Sequence, residues 1–164
     1  MSAAKLTATY TIRRAAAEDA ETIVRQRCSM FHDMGYRDQP VLDSMTIAFR
    51  PWLLRMMHSG EYLAWFAVAD DGSVAAGLGL WLMDWPPHII GPGSRRGNIL
   101  NVYTAPEHRR QGLARQLMQT ALAWCRAHGI RAVILHASSE GVPLYKELGF
   151  QPTNEMRIVV EPGE

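Results

Sequence analysis

The chain has 164 residues, of which 48% are hydrophobic, and its formal net charge is +1. That length and apolar content suit one domain with a full core, and the near-zero charge gives no bulk field towards nucleic acid or a membrane surface. No apolar run approaches the roughly 20 residues that span a bilayer.

Met1 to Tyr10 lacks an apolar stretch of the secretory type, so a cytoplasmic protein is expected. Tyr10 to Arg13 then reads as a short strand. Ala17 to His32 carries Ala20, Ile23, Val24, Arg27 and Phe31 near a helical period, with Gly35 as its stop. Leu42 to His58 reads as a second helix, broken at Pro51. Glu61 to Ala69 and Val74 to Met83 are β-rich runs, and Asp70-Asp71-Gly72 between them is a hairpin signal. Trp85 to Gly97 is a proline- and glycine-bearing loop.

The second half alternates strand and helix. A strand is expected over Asn98–Thr104, a helix over Gln111–His128, and a strand over Arg131–His136. A short helix follows from about Gly141 to Leu148, its start fixed by Pro143, which only a first turn tolerates. Gly129 and Gly149 read as left-handed caps of the two helices. Phe150 to Val160 is expected to form a final pair of strands. The order implies a mixed α/β sheet with helices on both faces. Cys28 and Cys125 fall in helical patterns and read as reduced, buried apolar residues.

The chemistry concentrates at Arg109-Arg110-Gln111-Gly112-Leu113-Ala114, where a strand gives way to a helix. Helix N-termini carry unpaired N–H groups and partial positive charge, and a glycine there lets a phosphate approach the backbone. The run is neither a Walker loop nor a dinucleotide fingerprint; Gly77-Leu78-Gly79 has Leu82 where a third fingerprint glycine belongs. Read alone, Gly112 is equally well an ordinary turn glycine.

Arg109-x-x-Gly112-x-Ala114 resembles the Q/R-x-x-G-x-G/A acyl-CoA signature of the GNAT superfamily of N-acetyltransferases. Pro106-Glu107-His108-Arg109-Arg110 is similar to that family's lead-in, and Leu144-Tyr145-Lys146-Glu147-Leu148-Gly149-Phe150 to its L-Y-x-x-x-G-F ending. The resemblance spans about residues 98 to 154. It implies a single GNAT-like domain over residues 1–164: a mixed, mostly antiparallel twisted sheet with helices on both faces.

It also implies acetyl-CoA as cosubstrate and acetyl transfer to a small primary amine by direct attack. The cosubstrate would be held by Arg109, Arg110, Gln111, Gly112, Leu113, Ala114 and Arg115, with Val102, Tyr103 and Thr104 beside the pantetheine arm and Ser138 as a contact or helix cap. The N–H of Val102 or Tyr103 is the expected oxyanion donor. Tyr145 falls on the family's motif tyrosine and is the expected general acid; a core tyrosine packed on Leu148 is the plainer reading. Arg95, Arg96, Arg110 and Arg115 are candidates for the 3′-phosphate of CoA.

One departure stands out. Leu100 occupies the strand position where many relatives place a glutamate base, and Asn101 follows it as a group able to position a water. Asp84 and Glu61 are the alternative carboxylates. His136 reads as a core histidine, and no metal-ligand spacing occurs. Phe31, Met34, Tyr36, Trp81 and Trp85, with Met83 and Met156, make an apolar acceptor lining in the family's layout. Two further readings stay open: a protein lysine or N-terminal acetyltransferase, and a non-catalytic acyl-CoA sensor. A homodimer is common in the family, and neither nucleic acid nor a membrane is an expected partner.

Overall fold

A computed structural model describes residues 9–160. Its strands are β1 (Tyr10–Arg14), β2 (Tyr62–Ala69), β3 (Val74–Asp84), β4 (Arg95–Thr104) and β5 (Val133–Leu135). They form one sheet in the order β1-β2-β3-β4-β5. The first four strands are mutually antiparallel, and β5 joins β4 in parallel. Four α-helices accompany them: α1 (Ala20–Asp33), α2 (Gln39–His58), α3 (Leu113–Ala127) and α4 (Val142–Glu147).

Strand alternation sorts the sheet's side chains onto two faces. Leu63, Trp65, Leu78, Leu80 and Ile99 pack with Leu117, Met118 and Cys125 of α3. Tyr62, Ala64 and Phe66 pack on the other face with Ile23 and Val24 of α1 and Phe49 and Leu53 of α2. Helices therefore cover both faces, as the element order implies. Gly35, Gly129 and Gly149 take left-handed φ values of 100°, 71° and 95° where α1, α3 and α4 end.

Two expectations need correction. α2 is not broken at Pro51: it runs through, although a mid-helix proline costs about 3 kcal/mol. Burial of Phe49 and Leu53 on either side offsets that loss. The helix also starts earlier, where Asp38 accepts a bond from the Val41 N–H and Pro40 fits the first turn. The second correction concerns Phe150 to Val160. No strand forms there; residues 151–160 are exposed and without regular structure. Met156, Ile158, Val159 and Val160 are 94, 83, 77 and 79% exposed, so the run buries no apolar face that could fix a register.

Candidate active site

The site begins with a fault in β4. Gly79 pairs with Leu100 and Gly77 with Tyr103, so β4 carries one extra residue against β3. That residue is accommodated at Asn101, whose φ is +56°. Such a bulge places two successive side chains on one face. Leu100 packs on the α1–α2 side, Asn101 bonds on that side too, and Val102 returns to the α3 side. Beyond the bulge β4 leaves its parallel neighbour, because β5 pairs only Val133, Ile134 and Leu135 with Gly97, Asn98 and Ile99.

The two strands thus open into a groove of about 1590 Å³. One wall is Leu100 to Thr104; the other is His136 to Glu140 with Tyr145. A drug-sized ligand occupies roughly 300–1,000 Å³, so the groove has room for a long cosubstrate arm and an acceptor together. At one end the wall reaches Arg109 and leads into the turn at Gly112, which has φ +75° and opens α3. No side chain caps that helix, and open space surrounds the position a Gly112 Cβ would take. The first-turn N–H groups are therefore free for an anion.

The arginines distribute differently from the sequence expectation. Arg109 donates to the Thr104 carbonyl at 3.0 Å and pairs with Asp33, tying α1 to the turn. Arg115 pairs with Glu147 across to α4. Arg110 sits in the turn with φ +63°. Arg95 and Arg96 start β4, and the strand rises roughly 25 Å between Arg96 and Thr104. Neither can share an anion with the turn. Arg96 instead stacks on Trp85, 3.8 Å from the ring centre.

Tyr145 lines the groove half-buried, with its ring edge-on to Phe150. Burial raises its phenol pKa above the usual value of 10. Gly141 makes room for that ring, since a Cβ there would lie 2.6 Å from it. Ser138 is not the cap of α4, whose N-cap is Gly141 with no side-chain bond; its Oγ accepts the Gly141 N–H at 3.3 Å in the turn before the helix, and it lines the groove. His136 is no core histidine. Its side chain is exposed in the groove wall, with Nε2 3.3 Å from a Glu155 carboxylate oxygen.

The groove's other end is built from side chains. Phe31, Met34, Tyr36 and Trp81 line it, as does Met156, whereas Met83 and Trp85 do not. Trp85 belongs to the loop beside Arg96, beyond the end of β3, which corrects its place in the lining. Residues outside the sequence-derived set complete this end: Arg27 from α1, Phe49 and Trp52 from α2, and Asn98 from β4. Trp52 meets Trp81 edge-on at 5.4 Å and Tyr62 at 5.9 Å.

Under this lining runs a polar chain. The Arg27 Nη1 donates to Asn101 Oδ1 at 2.7 Å, and Asn101 Nδ2 donates to the Tyr62 hydroxyl at 2.8 Å. Asn101 is 4% exposed, so both ends of its amide are engaged inside the protein. Burial pushes the Tyr62 phenol far above its usual pKa. Gly79 admits this chain, and Gly77 admits the neighbouring Gln26. A Cβ on Gly79 would lie 2.0 Å from the Tyr62 hydroxyl, and one on Gly77 2.1 Å from Gln26 Oε1. Gly77-Leu78-Gly79 is thus a packing motif that clears the α1–α2 face of β3.

Neither Glu61 nor Asp84 replaces the glutamate absent at Leu100; the carboxylates that do line the groove are Asp33, paired with Arg109, Glu155, beside His136, and Glu140. Glu61 accepts the Ser59 hydroxyl, and Asp84 ends β3 opposite Arg95; neither lines the groove. Among the described residues no group of three or more His, Cys, Asp or Glu is placed to hold a metal. Cys125 lies in the α3 core, where burial pushes its thiol up to about 11, and Cys28 lies on α1 on the opposite face. No helix among the described residues is long and apolar enough to cross a membrane.

Comparison with known proteins accounts for this geometry. The acetyltransferase (GNAT) family profile matches residues 21–150. The chain belongs to the GNAT acetyltransferase family. A GCN5-related N-acetyltransferase from Ralstonia eutropha superposes with a TM-score of 0.87 at 38% identity, covering 93% of this chain and 99% of that one. A predicted acetyltransferase from Clostridium acetobutylicum, determined with acetyl-CoA, gives 0.83 at 24% identity, covering 93% and 96%. N-acetyltransferase 8B of Rattus norvegicus is 31% identical over 94 residues, which is 55% of this chain and 40% of that protein. The match thus spans about two fifths of that relative's length.

Proposed function

We propose that the protein is an acetyl-CoA-dependent N-acetyltransferase acting on the primary amine of a small molecule, through a single domain. The observation that carries this reading is the uncapped N-terminus of α3 at left-handed Gly112, standing at the end of the wedge between β4 and β5. The turn suits a diphosphate, and the unpaired edge of β4 beyond Ile99 suits an extended pantetheine arm. The acetyl-CoA described with the Clostridium acetobutylicum structure supports the choice of cosubstrate.

In this reading the amine nitrogen attacks the acetyl carbonyl carbon directly. The N–H of Val102 or Tyr103 receives the oxyanion, at the point where the bulge turns the backbone into the groove. The carbon–sulfur bond then breaks. Tyr145, whose phenol stays protonated well past neutrality, gives its proton to the departing thiolate and regains one from solvent. The ammonium proton leaves to water: Glu61 and Asp84 stand outside the groove, and of the carboxylates that line it Asp33 is paired with Arg109, Glu155 faces His136 and Glu140 belongs to the wall that carries Tyr145.

The test is release of free thiol from acetyl-CoA over a panel of small amines and lysine-bearing peptides. Turnover with small amines and none with peptides is the expected result. Turnover with peptides alone would favour protein acetylation. Tight acetyl-CoA binding without turnover of any acceptor would leave a sensor.

A further inference from the structure

Arg27 is a cation without a counter-charge. It is more than half-buried on α1, and no carboxylate among the described residues pairs with it. Its guanidinium lies over two aromatic rings, 5.0 Å from the centre of Phe31 and 4.6 Å from that of Phe49. It gives one hydrogen bond, to Asn101, and its Nε is buried with no partner. Its Nη2 bonds to none of the described residues, and the side chain forms part of the groove wall. A guanidinium offers five donors in a planar fork, and a desolvated charge is stable only when paired. Cation–π contact supports the charge but leaves most of the donors unused.

We propose that Arg27 binds the carboxylate of the acceptor, so that the substrate is an amino acid or a similar amine-bearing acid with an apolar or aromatic body. The inference rests on the acetyltransferase reading and narrows its substrate class. Arg27 holds Asn101, and Asn101 adjoins Val102, beside which the thioester is expected. An amine separated from its carboxylate by one carbon would therefore lie within reach of the acetyl group. Trp52 and Trp81 would flank the remainder of such a molecule. The aromatic walls also raise the benefit of neutralising the guanidinium, because charge pairing strengthens as water is excluded. A simple amine would leave the fork unsatisfied, and a buried unpaired donor penalises the wrong ligand.

The experiment uses matched pairs that differ only by the carboxylate: phenylalanine against phenethylamine, and leucine against isoamylamine. Thiol release gives kcat/KM for each, and calorimetry on the acetyl-CoA complex gives acceptor affinity. The acids are expected to exceed their amines by at least about tenfold in kcat/KM, a typical gain for a charge-assisted contact. Arg27→Met should bring each ratio near one while acetyl-CoA affinity stays unchanged. Arg27→Lys, which keeps the charge should the first variant fail to fold, should retain part of the preference.

Amines that turn over as well as their acids in the unaltered protein would overturn the proposal and leave acetyl transfer standing. Arg27-dependent binding of the acids without any thiol release would uphold the carboxylate site and remove the acetyltransferase reading. Acids that show neither preferential turnover nor Arg27-dependent binding would also overturn it.

Discussion

The two ends of the groove are made of different materials. Towards α3 the wall is main chain: the edge that β4 exposes after its bulge, which leads through Arg109 to the uncapped turn at Gly112, just beyond the lining residues. Its side chains are mostly engaged elsewhere, Arg109 with Asp33 and Arg115 with Glu147. The end near α1 and α2 is made of side chains: Arg27, Asn101 and Tyr62 in a hydrogen-bonded line, with Phe31, Trp52 and Trp81 around it. Main-chain recognition depends on backbone shape and tolerates side-chain change. Side-chain recognition can be redrawn by one substitution.

The largest effect is expected where the two ends meet. Tyr145→Phe should lower kcat by about a hundredfold, the low end for general acid catalysis, with acetyl-CoA affinity nearly unchanged. Because burial raises the Tyr145 pKa, the phenol holds its proton further into the alkaline range than a free phenol would, so any limb from its ionisation lies above the usual phenol pKa. The unaltered enzyme should therefore show no falling limb below that pH, and pre-steady-state rates on both proteins check the point. Equal rates would reduce Tyr145 to a packing residue beside Phe150.

A smaller effect isolates the main-chain end. Gly112→Asp puts a negative charge where an anion should sit, on a backbone with φ +75°. Acetyl-CoA affinity should fall by at least about tenfold, or 1.4 kcal/mol, with the fold retained. Calorimetry that finds equal affinity would remove the turn from the site.

Gly79→Ala isolates the side-chain end. Its Cβ would meet the Tyr62 hydroxyl at 2.0 Å and force that ring to move, taking Asn101 and Arg27 with it. Overpacking of this kind costs about 1–3 kcal/mol of stability, readable by thermal melting. The acceptor KM should rise several-fold while acetyl-CoA affinity holds. A parallel loss of both would show that the two ends are not separable.

The smallest effects belong to the carboxylates outside the groove. Glu61→Gln and Asp84→Asn should each change kcat/KM by less than about tenfold. If the proton leaves to water, kcat/KM for an alkylamine should keep rising above neutrality towards the amine's own pKa. A plateau from pH 7, together with a hundredfold loss from either substitution, would identify a dedicated base.

Much of this was legible in the sequence, for identifiable reasons. Periodicity and turn chemistry mark β2, β3, α3 and the glycine stops, because those elements bury one face against a core and end on left-handed residues. The turn at Gly112 was legible because helix N-termini have a local signature. At the other end the apolar lining of Phe31, Met34, Tyr36 and Trp81 was legible, but its polar line was not, because Arg27, Asn101 and Tyr62 meet only through tertiary packing, at separations of 74 and 39 residues. One signal was nevertheless present: Arg27 stands on the same helical stripe as Ile23, Val24 and Phe31. A charge on an apolar stripe must either snorkel out or meet a partner. The spacing of Gly77 and Gly79 was a second signal, of crowding against β3 rather than of a nucleotide. Phe150 to Val160 misled because a short run shows only that a strand is possible, while a strand needs a neighbour to complete it.

The bulge at Asn101 has a mechanical consequence. β5 is tied to β4 by three paired residues, and neither β5 nor α4 contains a fully buried side chain. Their purchase on the core is a thin contact through Val133, Leu135, Tyr145, Leu148 and Phe150. The four antiparallel strands, by contrast, are clamped between helices on both faces. One jaw of the groove is therefore anchored more firmly than the other, and the boundary between them falls where pairing ends, at Ile99 and Leu135. Tyr145 stands on the less anchored jaw, so its distance from the main-chain wall rests on that thin contact alone.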